Sequence, residues 1–248
     1  LLPRVVAPPY DVIDPALRQA LSARDPRNVV HVDLPAGEGA KKYDEARRLM
    51  AEWQAGGVLR REKQPAFWRY EQTFDPPGGG PRRSRHGFFA LVRVEPYSSR
   101  VILPSLRTLT GPKLDRLELG RATRTALSPG FMLYSDPARA LDAHLDGGEL
   151  FADFSTDDGV QHRLWRVSRA TAVVRIAAAL ADASLLIADG HHRYETALAL
   201  SGEIDAEARA AGRHVAERAE HHYFPALLAN GDDPGLLVFP THRLVHSL

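Results

Sequence analysis

Residues 184–188, Ser-Leu-Leu-Ile-Ala, are apolar enough to form a short buried strand, and they run without a linker into Asp189-Gly190-His191-His192-Arg193. A helical pattern begins at once after Gly190. A buried strand that hands the chain directly to a helix calls for a layered α/β arrangement, because each element must bury its apolar side against another. Ligands of such proteins gather at the carboxyl ends of strands. A helix start there offers unpaired backbone N–H groups and the positive end of the helix dipole, which together attract anions. Gly190 lets a ligand approach the backbone, and His191, His192 and Arg193 add side-chain donors, the last as a bidentate fork. Three such groups in a first helical turn oppose the dipole unless an anion or an acidic partner neutralises them, and conflicts of this kind mark functional sites. Asp-Gly is also an ordinary turn and capping signal, so a purely scaffolding role for the same residues stays open.

The rest of the chain alternates in the same way. Pro3, Pro8 and Pro9 predict an extended segment over residues 2–13, and Asp14-Pro15 opens a helix to about residue 23. Residues 29–34 read as a short strand. Tyr43, Ala46, Leu49, Met50 and Trp53 recur at helical spacing across residues 41–55, and Gly56-Gly57 ends that helix. Strands are expected at 66–74 and 86–95, joined by a long mobile loop at 75–85 with Arg82, Arg83 and Arg85 at its end. Extended structure follows at 100–103, a helix at 110–127, a strand at 130–134 and a helix at 136–145. Paired strands at 149–154 and 160–168 precede an alanine-rich helix at 170–181. Two helices, 191–200 and 205–219, and two strands, 223–229 and 236–239, close the chain. The expectation is a mixed α/β fold, a mixed sheet with flanking helices. It is read as a single domain over residues 1–248, with a subdivision into 1–104 and 105–248 as the alternative.

Composition removes several classes of function. There is no cysteine, so disulfides, thiolate metal sites and cysteine nucleophiles are excluded, and a cytoplasmic setting fits. A net charge of +1, from 32 basic and 31 acidic residues, supplies no broad basic surface for nucleic acid. No apolar run approaches the roughly 20 residues that span a bilayer, so no membrane partner is expected. The chain opens on Leu1 and stops on Leu248 inside an apolar–polar stretch, which reads as a piece cut from something longer.

Other candidates are weaker. Tyr10 and Asp11 follow two prolines in a stiff segment that suits positioned side chains, or they simply pack and cap a turn. Arg107 and Thr108 precede a helix, where they could contact an anion or lie on the surface. Arg116, Arg121 and Arg124 read as a solvated helix face, with Arg121 and Arg124 pointing into a basic cleft as the sharper alternative. A metal reading pairs Glu195 with His191 four residues earlier or His192 three residues earlier, which supplies only two ligands. His221 and His222 fall on a predicted strand and would point to opposite faces.

The motifs also occur in a familiar order. Ala7-Pro8-Pro9-Tyr10-Asp11-Val12-Ile13, Gly111-Pro112-Lys113, Asp115-Arg116-Leu117, Arg121-Ala122-Thr123, Leu127-Ser128-Pro129, Leu164-Trp165-Arg166-Val167, Asp189-Gly190-His191-His192-Arg193 and Thr241-His242-Arg243-Leu244-Val245 together resemble the family called domain of unknown function 1015. The resemblance covers nearly the whole chain and implies that relatives extend slightly beyond both ends. It also adds His242 and Arg243 as site candidates, which otherwise read as surface residues on a terminal strand.

Separately, Asp-Gly-His-His-Arg is similar to the phosphate-binding motif of the ParB/sulfiredoxin superfamily, in the version of its ADP-dependent free-serine kinases. That similarity implies a ParB/sulfiredoxin-like core around the turn. Gly190, His191, His192 and Arg193 would hold phosphate, and Asp189 would orient a histidine or a magnesium ion. ADP or ATP with Mg2+ would be the cofactor. One departure stands out. Ser105-Leu106 occupies the place of the family's usual His-Glu pair before Arg107-Thr108, so the general base would fall to Asp11 or Glu195. The functional expectation is phosphoryl transfer to or from a small hydroxylated metabolite such as serine. The alternatives are a non-catalytic sensor of a nucleotide or phosphorylated ligand and, disfavoured by charge, a ParB-like DNA-binding or nuclease protein.

Overall fold

The structure, a computed structural model, describes residues 2–106 and 110–238, with backbone only over 110–113. Eight helices occur among these residues: α1 (Leu2–Val5), α2 (Pro15–Arg24), α3 (Val30–Asp33), α4 (Lys41–Ala55), α5 (Thr110–Thr123), α6 (Asp142–Leu145), α7 (Ala170–Ala179) and α8 (His191–Ala210). Eight strands join them: β1 (Phe67–Phe74), β2 (Arg83–Arg93), β3 (Ile102–Pro104), β4 (Gly130–Tyr134), β5 (Glu149–Ser155), β6 (Gln161–Val167), β7 (Leu185–Asp189) and β8 (Tyr223–Asn230). The strands form one sheet in the order β3-β7-β4-β8-β2-β1-β6-β5. Only the β3–β7 and β4–β8 pairs are parallel. The fold is therefore mixed α/β, and its sheet draws strands from both sides of residue 104.

Alternation explains the central strands. Phe88 on β2, Met132 and Tyr134 on β4, Ile187 on β7, and Phe224, Ala226 and Leu228 on β8 all point into one core, closed by Ile176 of α7 and Tyr194 of α8. Tyr194 is fully buried. Its hydroxyl donates to the Glu95 carbonyl and accepts from the Glu95 N–H, each at 2.7 Å, which ties α8 to the chain leaving β2. A second, smaller cluster joins Val32 of α3 to Met50 and Trp53 of α4.

The amphipathic helix ends as its sequence predicts, with Gly56 donating to the Glu52 carbonyl at 2.8 Å, and Asp14 caps α2 through the Leu17 N–H at 2.7 Å. Elsewhere tertiary contacts override local signals. The expected extended stretch over 2–13 contains α1 and a 3-10 turn at Tyr10–Val12, because Pro3 lies in a first turn that needs no N–H from it. The strand expected at 29–34 is α3 instead. Buried Asn28 donates to the carbonyls of Arg4 and Val6, and its Oδ1 accepts from Val30 N, so it starts a helix despite the valines. The helix expected from 136 is limited to α6, since Asp136 turns its carboxylate to the Leu141 N–H and Arg139 adopts φ +53°.

The two helices expected after Gly190 are one, α8. It ends where Gly212 takes φ +66° and Arg213 N reaches back to the Ala208 carbonyl, so 211–219 is not helical. Residues 236–238 carry no strand, and the predicted arginine loop is shorter than expected because β2 already begins at Arg83.

Candidate functional site

β7 delivers Asp189 to the same edge of the sheet as the end of β3, its parallel neighbour, with Pro104 opposite Ile187. Gly190 then adopts φ +88° and starts α8, with no side chain capping the helix. Glycine is favoured twice over here. The left-handed conformation penalises any Cβ, and a Cβ at this position would stand 3.1 Å from the Arg193 guanidinium. Arg193 folds back beneath the turn. Its Nη2 donates to Asp189 Oδ2 at 2.7 Å, and its Nη1 donates to the Pro129 carbonyl. Part of the fork expected to meet an anion is thus engaged with the protein, and it also neutralises the acid at the strand end.

His191 is buried, and its Nε2 accepts the Ser105 N–H at 3.1 Å, with the Ser105 hydroxyl at the same distance. That contact places the proton of the neutral ring on Nδ1. Burial pushes the His191 pKa below 6.5, while Asp189 and Glu195 push it up and His192 pushes it down. Glu195 accepts from the Tyr97 hydroxyl at 3.4 Å. His192 is half-buried on the same turn.

The N-terminal motif reaches the neighbourhood of this turn from another side. The Tyr10 ring lies against the Arg116 guanidinium, 4.3 Å from ring centroid to Cζ, while Asp11 is exposed. Burial raises the Tyr10 pKa, with Arg116 and Arg193 opposing. Arg116 is not on a solvated face, as its spacing suggested. It is buried, donating to the Asp33 carbonyl at 2.5 Å and to Asp115 Oδ2 at 2.6 Å. Asp33 in turn accepts from Ser128 Oγ at 2.6 Å. Burial raises the Asp115 pKa, but Lys42, Arg116 and Tyr43 outweigh it and hold it at about 2. Arg121 and Arg124 do lie outward and pair with Glu203 and Glu207 of α8. Arg107, Thr108, His242 and Arg243 lie outside the described residues.

A cleft of about 1170 Å3 runs along one side of α8, past Arg193, Thr196, Ala197, Leu200 and Ile204. Arg116 and Asp33 line it beside Arg193, and Arg218 and His221 line it elsewhere. Thr196 is buried, and its hydroxyl has no hydrogen-bond partner among the described residues.

With that geometry in place, the family described as a protein of unknown function, DUF1015, matches residues 1–248. The chain belongs to DUF1015. No curated protein and no solved structure matches it. Among the described residues of this DUF1015 chain, no helix is long and apolar enough to cross a membrane.

Sequence reasoning missed three participants. Ser105 was legible only as a departure from the family pattern, and its contact with His191 depends on the parallel β3–β7 pairing. Asp33 falls in a valine-rich stretch that predicts a strand, where an acid reads as solvent-facing. Asp205, His221 and His222 form a cluster whose ligand atoms lie within 4.8 Å of one another, although the two histidines were expected on opposite faces. They sit at a 3-10 turn, Glu220–His222, and that curvature turns both rings the same way.

Proposed function

We propose that the β7–α8 turn binds the phosphate of a nucleotide or phosphorylated metabolite, and that this DUF1015 protein transfers a phosphoryl group to a small hydroxylated compound such as serine. The observation that carries the reading is the start of α8. A helix of 20 residues begins at a left-handed glycine without a side-chain cap, with basic residues in its first turn. The first-turn N–H groups and the dipole favour an anion there. His191 adds its Nδ1–H, and Arg193 offsets the Asp189 charge that would otherwise repel an anion at the strand end. The similarity to the free-serine-kinase motif supports the same assignment.

Mg2+ would supply charge neutralisation between nucleotide phosphates. The half-exposed Asp189 carboxylate is a fitting oxygen ligand, since magnesium commonly takes one or two carboxylates along with phosphates and water. Glu195, which acts electrostatically on His191, would accept the proton of the substrate hydroxyl as its oxygen joins the phosphorus and the bond from that phosphorus to the donor nucleotide breaks, releasing the nucleotide shortened by one phosphate. Asp11 is the second candidate base.

One observation favours a second reading, ligand sensing without turnover. Leu106 is exposed beside Ser105 and carries no ionisable group, so that position supplies no base. Thermal-shift measurements with ADP, ATP, pyrophosphate and phosphoserine, with and without Mg2+, test the binding common to both. Stabilisation by at least one ligand is expected, together with phosphate transfer that His192→Ala abolishes. Stabilisation without transfer supports the sensor, and no stabilisation by any of the four removes both readings.

A further inference from the structure

Asp205 comes from the third quarter of α8, and His221 and His222 from the turn that enters β8. His221 Nε2 stands 2.7 Å from Asp205 Oδ1, and His222 Nε2 stands 3.0 Å from the same oxygen. The rings lie edge to face with centroids 4.4 Å apart. The second nitrogen of His222 decides what this convergence requires. Nδ1 lies 3.1 Å from the Glu217 carbonyl, which can only accept, so Nδ1 carries a hydrogen. Neutral His222 therefore turns the bare lone pair of Nε2 toward a carboxylate oxygen. Two acceptors facing each other at 3.0 Å need a cation between them, and a proton or a metal ion meets that need.

We propose that Asp205, His221 and His222 bind one divalent transition-metal ion of the zinc class. Two imidazoles and a carboxylate suit this group of ions better than magnesium or calcium, which prefer oxygen ligands. The Nδ1–H of His222 on a backbone carbonyl is the outer contact that orients metal-binding histidines and fixes their tautomer. The three side chains are 22%, 21% and 16% exposed, so an ion can enter while most of the surrounding water is excluded. Arg209 stands 3.9 Å from the other oxygen, Oδ2, and leaves Oδ1 to the ion. The donor atoms need to open only slightly, since ligands on bonds of about 2.0–2.2 Å lie a little over 3 Å apart in a tetrahedral site. Three protein ligands leave a fourth position for water or a ligand, and His221 also lines the cleft along α8. Because the ion would join α8 to the start of β8 across the non-helical segment 211–219, binding stabilises the fold. The site uses no residue of the β7–α8 turn, so its failure and that of the phosphate reading are separate outcomes.

Untagged protein stripped with a chelator and titrated with Zn2+ by calorimetry tests the proposal. One equivalent is expected to bind, with a rise in Tm, and Co2+ in its place should give a visible absorption band. Asp205→Asn and His222→Gln should each weaken binding about tenfold or more, whereas His214→Ala should leave it unchanged. If either variant fails to fold, the ring nitrogen resonances of the wild-type protein decide. Of its 11 histidines, two should shift together on Zn2+ addition, with Nδ1 of His222 remaining protonated. Absence of stoichiometric binding overturns the proposal, as does binding that survives both variants or shifts other histidines instead. The cluster is then a charge-assisted hydrogen-bond pair bridged by a proton.

Discussion

His191–His192 and His221–His222 are both adjacent pairs, yet the two regions use them in opposite ways. At the start of α8 the helical backbone separates successive side chains, and His191 turns into the protein to accept from Ser105 while His192 stays half-buried. In the turn before β8, both rings reach one carboxylate, Asp205. The first pair sits beside an acid already claimed by Arg193, and the second beside an acid shared between two imidazoles. A dipeptide of histidines therefore has no fixed chemistry. Backbone curvature decides whether two rings cooperate, and the nearest carboxylate decides what cation they gather around.

That contrast can be broken most severely through Arg193. Arg193→Met removes charged hydrogen bonds to Asp189 and the Pro129 carbonyl and should cost about 2–3 kcal/mol in urea unfolding. Zn2+ binding at Asp205 should persist in the folded variant, and unchanged stability would show that the guanidinium is not a scaffold element. Gly190→Ala should cost about 1–2 kcal/mol, because its Cβ meets the Arg193 guanidinium in a left-handed conformation. Weaker binding of any stabilising phosphate ligand should accompany that loss in a thermal-shift assay.

The smallest expected effect is a pH dependence. Burial lowers the His191 pKa in the folded state, so the unfolded chain binds the proton more readily. The stability contributed by the neutral ring is complete above the ordinary value of about 6.5 and is lost as pH falls through the lower folded value. Denaturation curves from pH 7.5 to 4.5 should therefore fall less steeply for His191→Gln than for the wild-type protein. Parallel slopes would mean that His191 is not desolvated as described.

Local sequence was decisive wherever one signal dominated. The apolar spacing of α4, the Asp14-Pro15 start of α2, the alternation of β4 and the Asp-Gly boundary between β7 and α8 each follow from interactions within a few residues. The valines at 29–34 misled because Asn28 satisfies backbone groups more than 20 residues away. Arg116 looked solvated because its partner Asp33 is 83 residues distant.

The sequence by itself determined the main strands of the sheet, helix α4, the glycine-started helix and the presence of basic residues in its first turn, since these depend on steric and hydrogen-bonding preferences close along the chain. Only the tertiary structure decided that Arg193 is clamped to Asp189, that Ser105 meets His191 across two parallel strands, and that Asp205 gathers His221 and His222. Ionisable side chains act over a few ångströms of space, and the partners within that reach are set by how the sheet and α8 pack, not by their order in the chain.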